Sequence, residues 1–300
     1  MSDGKDLLRR LRNLLNEDSD SGWLDEQTSY DYLYDAAVDF VDRTGCVHDA
    51  QGITLVPGQE MYDLNPDFLR LFLKNSSNNY YINLYDGSRW HDIMWKDAED
   101  ILYNYNASAR AAIPSYFSIV DSEPPGQITG TATAAGADAG GQQILTDAAA
   151  DFTDVEAGAI VHNTTDGSDG IVLSKTSETE LVTALFSGTD NDYTIGDAYV
   201  IQPQARYALG LSPLPSTAYV LAVTYVKRPA PVYSDYGVYE FINPNVLVKY
   251  AFWLYKYRDR EPNFGDAMYK FWEMEVQKKA YSINRGQRPN RIKVNMKARQ

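Results

Sequence analysis

Between Asp121 and Pro203 the chain changes character, and that change constrains the fold more than any other feature of the sequence. On both sides lie stretches dense in aromatic residues. Inside, Asp121 to Gly141 (DSEPPGQITGTATAAGADAGG) is rich in Gly, Ala, Pro and Thr, and the residues up to about Ile201 fall into the short alternating runs AIVHNT, GIVLSK, ELVTALF and AYVIQ. Asp166-Gly167 and Ser187-Gly188 separate these runs as turn signals, the pattern expected of a small all-β module. The same interval holds 14 Asp plus Glu against one basic residue, Lys175, a net of -13; the whole chain carries -14, so everything else comes to about -1. The expectation is therefore an acidic β module, residues 121–203, inserted into a host made of residues 1–120 and 204–284.

The host opens with helices. Leu7, Leu8, Leu11, Leu14 and Leu15 fall on one helical face with arginines between them, and Asn16 to Gly22 (NEDSDSG) breaks the pattern. A second helix is predicted from Tyr30, Leu33, Tyr34, Ala37, Val38 and Val41, spaced by three and four, with Gly45 placed to end it. Strand patterns follow. ITLVPGQEMYDL reads as two short strands around Pro57-Gly58, FLRLFLK and YYINLYDG as further strands with Asp86-Gly87 as a turn, and YFSIV as another. Lys96 to Tyr105 is a candidate short helix. After the module, RYALGLSPLPSTAYVLAVTYVKRPAPV gives a strand, a proline-bounded loop and a long alternating strand. Two helices close the host. Leu247, Tyr250, Ala251, Leu254 and Tyr255 share a face of the first. Phe264, Met268, Phe271, Glu275 and Lys279 lie along the second, with Pro262 in its first turn, where a missing N–H costs little. The predicted class is α+β: a helical bundle of N-terminal and C-terminal helices, an antiparallel β domain, and the inserted all-β module.

The stretch after Gln277 carries eight basic residues and no acidic ones. From about Gly286 it has no helical periodicity, so residues 285–300 are expected to form a basic arm. Arg285, Arg288, Arg291, Lys293, Lys297 and Arg299 are its candidate partner-binding residues. Clustered cations suit either nucleic-acid phosphates or an acidic protein surface. Aromatics for stacking on single-stranded bases are missing after Tyr281, which favours protein docking.

Other classes are disfavoured. Hydrophobic residues make up 44% of the 300, enough for a substantial core. No apolar run approaches the ~20 residues that span a bilayer. Charges in MSDGKDLLRRLRNLL stand where a signal peptide carries its apolar centre, so secretion by that route is not expected. Cys46 is the only cysteine, which removes internal disulfides and cysteine metal clusters and leaves it as a small hydrophobe. His48, His91 and His162 are far apart and form no HExxH pair. His91 and Asp92 are neighbours in a strand and so point to opposite faces. Neither a phosphate-binding glycine loop nor a GxSxG elbow occurs. Asp166 and Asp169, and Asp190 and Asp192, supply oxygens for calcium in principle, but Asp-Gly in a β module is more commonly turn chemistry. No catalytic residue, cofactor or metal is nominated, and the chain is not expected to be an enzyme.

Four stretches together resemble the head-to-tail connector adaptors of tailed bacteriophages, the gatekeeper or tubular-tail A-like proteins. Trp23-Leu24-Asp25 leading into YDYLYDAAVDFVDRTG resembles the family's opening tryptophan and long helix. ITLVPGQEMYDLNPDFLRLF is similar to its glycine-turn hairpin and following strand, ALGLSPLPSTAYVLAVTYVKRPAPV to its proline loop and Tyr-rich strand, and NPNVLVKYAFWLYKYRDREPNFGDAMYKFWEMEVQKKA to its closing helix pair. The resemblance implies a structural subunit repeated in a ring, usually twelve-fold, beneath the portal at the head-tail junction of the virion. Its implied partners are copies of itself, the portal protein, a downstream tail or nozzle protein, and DNA that passes through without sequence-specific binding; no membrane is implied. The 23 tyrosines suit large obligate interfaces, and they equally suit half-buried strand positions. Two competing readings are a receptor- or glycan-binding tail component using the insert, and a polysaccharide hydrolase. The hydrolase needs a pair of carboxylates about 5–10 Å apart in a cleft, and the sequence nominates none.

Overall fold

A computed structural model describes residues 3–16, 25–73, 80–101, 112–122, 125–136, 140–258 and 262–287, with backbone alone at 262–264 and 284–287. The protein is mixed α+β. Among the described residues it has four helices and three sheets whose pairings are antiparallel except for one.

The helices are α1 (Gly4–Leu15), α2 (Glu26–Thr44), α3 (Pro244–Arg258) and α4 (Pro262–Gln287). The first two begin at aspartate caps. Asp3 accepts the Asp6 N–H at 2.9 Å and Asp25 accepts the Thr28 N–H at 2.6 Å, each satisfying a donor that the first turn would otherwise strand. Gly45 ends α2 at φ 64, in the left-handed region open to glycine. α3 runs between the other three helices and is buried on several sides, from Val246, Leu247 and Val248 to Ala251, Phe252 and Tyr255. The first and last helices of the host thus share one core. Arg10 Nη1 on α1 bonds Asn245 Oδ1 on α3 at 2.7 Å across it.

The sequence misplaces the inner face of α4. Trp272 and Val276 are buried, while Phe271 is only partly buried and lies under the Lys249 ammonium, 3.3 Å from its ring centre. The ring of Tyr250 on α3, 4.3 Å from that of Trp272, and the Arg43 guanidinium of α2, 4.9 Å away, select the Trp272 side. Periodicity alone does not distinguish two adjacent aromatics.

Two of the sheets share a second core. One pairs β1 (His48–Thr54), β15 (Val220–Lys227), β4 (Ile82–Tyr85) and β5 (Trp90–Asp92) in that order, with β3 (Phe68–Leu71) also on β15. The other runs β2 (Met61–Asp63), β14 (Tyr207–Ser212), β7 (Tyr116–Asp121) and β6 (Met94–Trp95). Leu55, Ile82, Leu84, Phe117, Leu209 and Leu221 fill the space between them. The two strands flanking Pro57-Gly58 are present, but they form no hairpin: β1 pairs with β15 and β2 with β14, so the turn passes the chain from one sheet to the other. The Gly58 N–H is held by the Pro215 carbonyl of the opposite loop at 3.0 Å. Of the candidate helix at 96–105, residues 98–101 are helical, 96 and 97 are not, and 102–105 lie outside the described residues.

The insert is a six-stranded sheet ordered β8 (Ile128–Thr131), β13 (Ala198–Gln202), β10 (Ile160–Asn163), β11 (Ser168–Ser177), β12 (Glu180–Phe186), β9 (Gln143–Thr146). β8 lies in the Gly- and Thr-rich stretch that the sequence marks only as a composition shift. It acquires strand structure by pairing with β13, Ile128 opposite Ile201. The insert leaves and re-enters the host between neighbouring strands, since Asp121 at the end of β7 stands opposite Tyr207 at the start of β14. Its own core holds Leu145, Phe152, Val161, Val172, Leu181 and Tyr199. Alternate residues of β11 and β12 face the other way, and Leu173, Ala184 and Phe186 join the helical core. The Phe186 ring lies 6.4 Å from Tyr30 of α2 and 6.2 Å from Tyr233. The module is packed on the host through one side of β11 and β12.

Candidate functional site

The groups able to do acid–base chemistry are engaged in holding turns and strands. His91 Nε2 sits 2.6 Å from Asp86 Oδ2 across the β4–β5 turn, so its partner is Asp86 rather than the adjacent Asp92. Asp86 also accepts the Ser88 and Arg89 N–H groups, at 2.8 and 2.9 Å. The hydrogen bond from His91, followed by those from Arg89 and Ser88, holds its carboxyl well below the usual range. His162 on β10 pairs with Asp169, its direct neighbour on β11.

The aspartates of the insert build its loops. The Asp166 carboxylate accepts N–H groups from Thr189 (2.8 Å), Asp190 (2.8 Å) and Asn191 (3.0 Å), pinning the 187–191 loop to the β10–β11 turn. Burial pushes its pKa up, but these bonds outweigh burial and hold it below the ordinary value. Asp197 behaves alike, its burial outweighed by bonds from Thr194 and Asn163. Between them stands Asn163, fully buried. Its amide donates to the Asp192 carbonyl (2.9 Å) and to Asp197 Oδ2 (3.1 Å), and its Oδ1 accepts from Thr165 and Asp166. Sequence reading missed Asn163 because an Asn beside an Asp-Gly turn looks like one more turn residue. Of the aspartates considered for calcium, Asp166 faces backbone amides and Asp169 faces His162. Among the described residues, no three His, Cys, Asp or Glu side chains are grouped to hold a metal ion.

Buried tyrosines pair with carboxylates: Tyr233 with Asp31 (2.5 Å), Tyr225 with Asp67 (2.8 Å) and Tyr199 with Asp147 (2.7 Å). Burial, then the nearby carboxylate, raises each of these phenols, so they stay protonated donors at neutral pH. They are structural links between elements.

What the surface offers instead is apolar contact area. Trp90 (56% exposed), Met94 (56%) and Trp95 (41%) lie on β5 and β6, the terminal strands of their sheets. The register places Val220, Tyr85 and Trp90 in one row across β15, β4 and β5, and the Tyr85 and Trp90 rings are 5.2 Å apart. A second set, Tyr257, Met274 and Tyr281, stands exposed on α3 and α4. Beside it, an open groove of about 540 Å³ runs between α1, α3 and α4, with Leu14, Val248 and Phe271 along its floor and Arg10 and Lys249 on its rim. The sequence drew attention to SRWHDIMW through its histidine, whereas its exposed tryptophans are the unusual residues there.

Of the candidate arm residues, Arg285 falls on the backbone of α4, which continues to Gln287; Arg288, Arg291, Lys293, Lys297 and Arg299 lie outside the described residues. Nearer the start of this basic stretch, Lys278 is paired with Glu275. Among the described residues no helix is long and apolar enough to cross a membrane. No protein-family model matches the chain, and no curated protein matches it.

Proposed function

We propose that this chain is a structural subunit of a tailed-phage particle, a head-tail adaptor that repeats in a ring beneath the portal and surrounds the DNA exit channel. In this reading the four helices form the bundle of the adaptor, built from both ends of the host, beside an antiparallel β domain that carries the insert. The order of the four family-like stretches supports it. The observation that carries it is the pair of dissimilar apolar surfaces, Trp90, Met94 and Trp95 on the sheet ends and Tyr257, Met274 and Tyr281 on the helices. A closed ring needs heterologous contacts, one patch meeting a different patch on the next copy, and obligate interfaces are enriched in aromatic residues and Met.

The reading is tested by imaging purified head-tail complexes and by mixing the chain with portal protein. A closed ring of this subunit at the junction is expected; absence from assembled particles, or turnover of a substrate, overturns it. The basic arm is tested by truncation after Gln287, which leaves α4 whole. That variant is expected to fold and ring normally but fail to hold the portal, and normal attachment removes the arm from the proposal.

A further inference from the structure

The root of the insert, where its connections meet the host, encloses a cavity of about 360 Å³ lined in part by Ser122, Gly158, Gln204, Arg206, Tyr207 and Arg228. Arg206 and Gln204 lie on the connection after β13, and Arg228 follows β15 of the host. Two cations of the host therefore border one cavity beside Gly158 of the insert.

Both guanidinium groups keep a donor that protein does not satisfy. Arg206 is paired through Nη2 with Asp154, 2.9 Å from its carboxylate and 3.1 Å from its carbonyl; its Nε is buried and has no protein partner among the described residues. The one side-chain bond of Arg228 is a long 3.4 Å contact from Nη1 to the neutral Gln204 Oε1, and its Nε is likewise buried without a partner. A third such group stands close by. An added Cβ at Gly158 would lie 2.0 Å from Gln204 Nε2 and 3.6 Å from Tyr34 Oη, and that hydroxyl too is buried without a partner. With φ at +96 and no side chain, Gly158 is what lets Gln204 and Tyr34 close in here.

Arg228, drawn partly out of water with no carboxylate bonded to it among the described residues, is unfavourably placed, and a guanidinium's fork of N–H donors matches the oxygens of a carboxylate or phosphate. Asp121, the carboxylate lining the cavity, is exposed and so is screened by solvent. We propose that this cavity binds a small tetrahedral oxyanion of phosphate size, held by Arg228 and by the free Nε of Arg206. Two guanidinium donors at one cavity, with the Tyr34 hydroxyl and the Gln204 amide nearby, suit a tetrahedral anion better than a planar carboxylate, which one fork can saturate. The site stands independently of the adaptor reading.

The test is calorimetric titration and thermal unfolding of the full chain with inorganic phosphate, against chloride at matched ionic strength. Saturable binding of one phosphate per chain, with a rise in the unfolding midpoint, is expected. Arg228→Gln, which keeps volume and removes the charge, is expected to weaken binding by about tenfold or more, while His162→Gln on the same insert leaves it unchanged. Should Arg228→Gln fail to fold by circular dichroism, Arg228→Lys serves, with intermediate weakening expected. No phosphate-specific heat, or equal binding by the parent and the Arg228 variant, overturns the site. Acetate acting as well as phosphate overturns the tetrahedral assignment.

Discussion

The insert and the helical layer bury polar groups in opposite ways. In the helical layer, aromatic rings do most of the packing: Tyr250 against Trp272, Trp253 against Tyr269 at 4.7 Å, Tyr30 against Tyr233 at 5.5 Å. In the insert, short carboxylates accept backbone N–H groups and draw loops onto a small aliphatic core. The difference revises the meaning of net charge. In the sequence the -13 of residues 121–203 marks only an acidic module. Part of it organises the turns of the module itself. A carboxylate that accepts several N–H bonds is a structural element that happens to be charged.

Tryptophan makes the comparison measurable, because all five tryptophans lie outside residues 121–203. Trp fluorescence follows the host, while NMR or hydrogen exchange of the insert's amides follows the module. The largest effect is expected from Trp272→Ala, which empties a fully buried site between α2, α3 and α4. It should cost the host about 3–5 kcal/mol, read by denaturant titration, while the insert's amides stay protected. Simultaneous loss of both signals breaks the distinction and makes the two regions one cooperative unit.

Asn163→Ala tests the other side. It removes one bond from the Asp197 carboxylate, which keeps those from Thr194, and strands the Asp192 carbonyl; leaving a buried group unsatisfied costs about 1–3 kcal/mol. Amide protection around residues 163–167 and 189–197 should fall while the Trp signal is unchanged. The smaller Asp25→Ala change removes the cap of α2 and should lower host stability by about 1 kcal/mol.

Acid sharpens the contrast further, with an effect expected to be smaller still. The folded pKa values of Asp166 and Asp197 lie below the ordinary value of 3.8, so their contribution is present above that pH and is lost as pH falls through the folded values. Asp192 in the same loop opposes this weakly, being raised by burial and by Asp190, Asp166 and Asp197. In the host, burial lifts Asp39 above 3.8 despite its pairing with Arg43, so protonation there favours the folded state as pH falls toward 3.8. Below about pH 4 the insert's amides should lose protection before the Trp signal moves. The reverse order removes the carboxylates from their assigned role.

Much of this fold is written in local sequence. The caps Asp3 and Asp25, the C-cap Gly45, the Asp86-Gly87 turn and the alternation in β10 to β15 each follow from rules that act over a few residues. The change in composition between Asp121 and Pro203 is local too. Less legible was anything that depends on which partner arrives. Trp272 and Phe271 are equivalent in periodicity, and α3 and α2 choose between them. Pro57-Gly58 has the chemistry of a hairpin turn, but Pro215 and the strands β14 and β15 carry its flanks into separate sheets.

The candidate sites divide in the same way. Basic charge after Gln277 is visible in one dimension, whereas the junction cavity is assembled from Asp121, Gly158, Gln204, Arg206 and Arg228, residues up to 107 positions apart. The sequence by itself determined most of the helices and strands, the change of composition between Asp121 and Pro203, and the acidic charge of that interval, because propensity, capping and turn chemistry are short-range. Only the tertiary structure decided which faces are buried, that the module packs on the helices through Phe186, and which buried donors remain unmatched, because burial and pairing depend on residues brought together from distant parts of the chain.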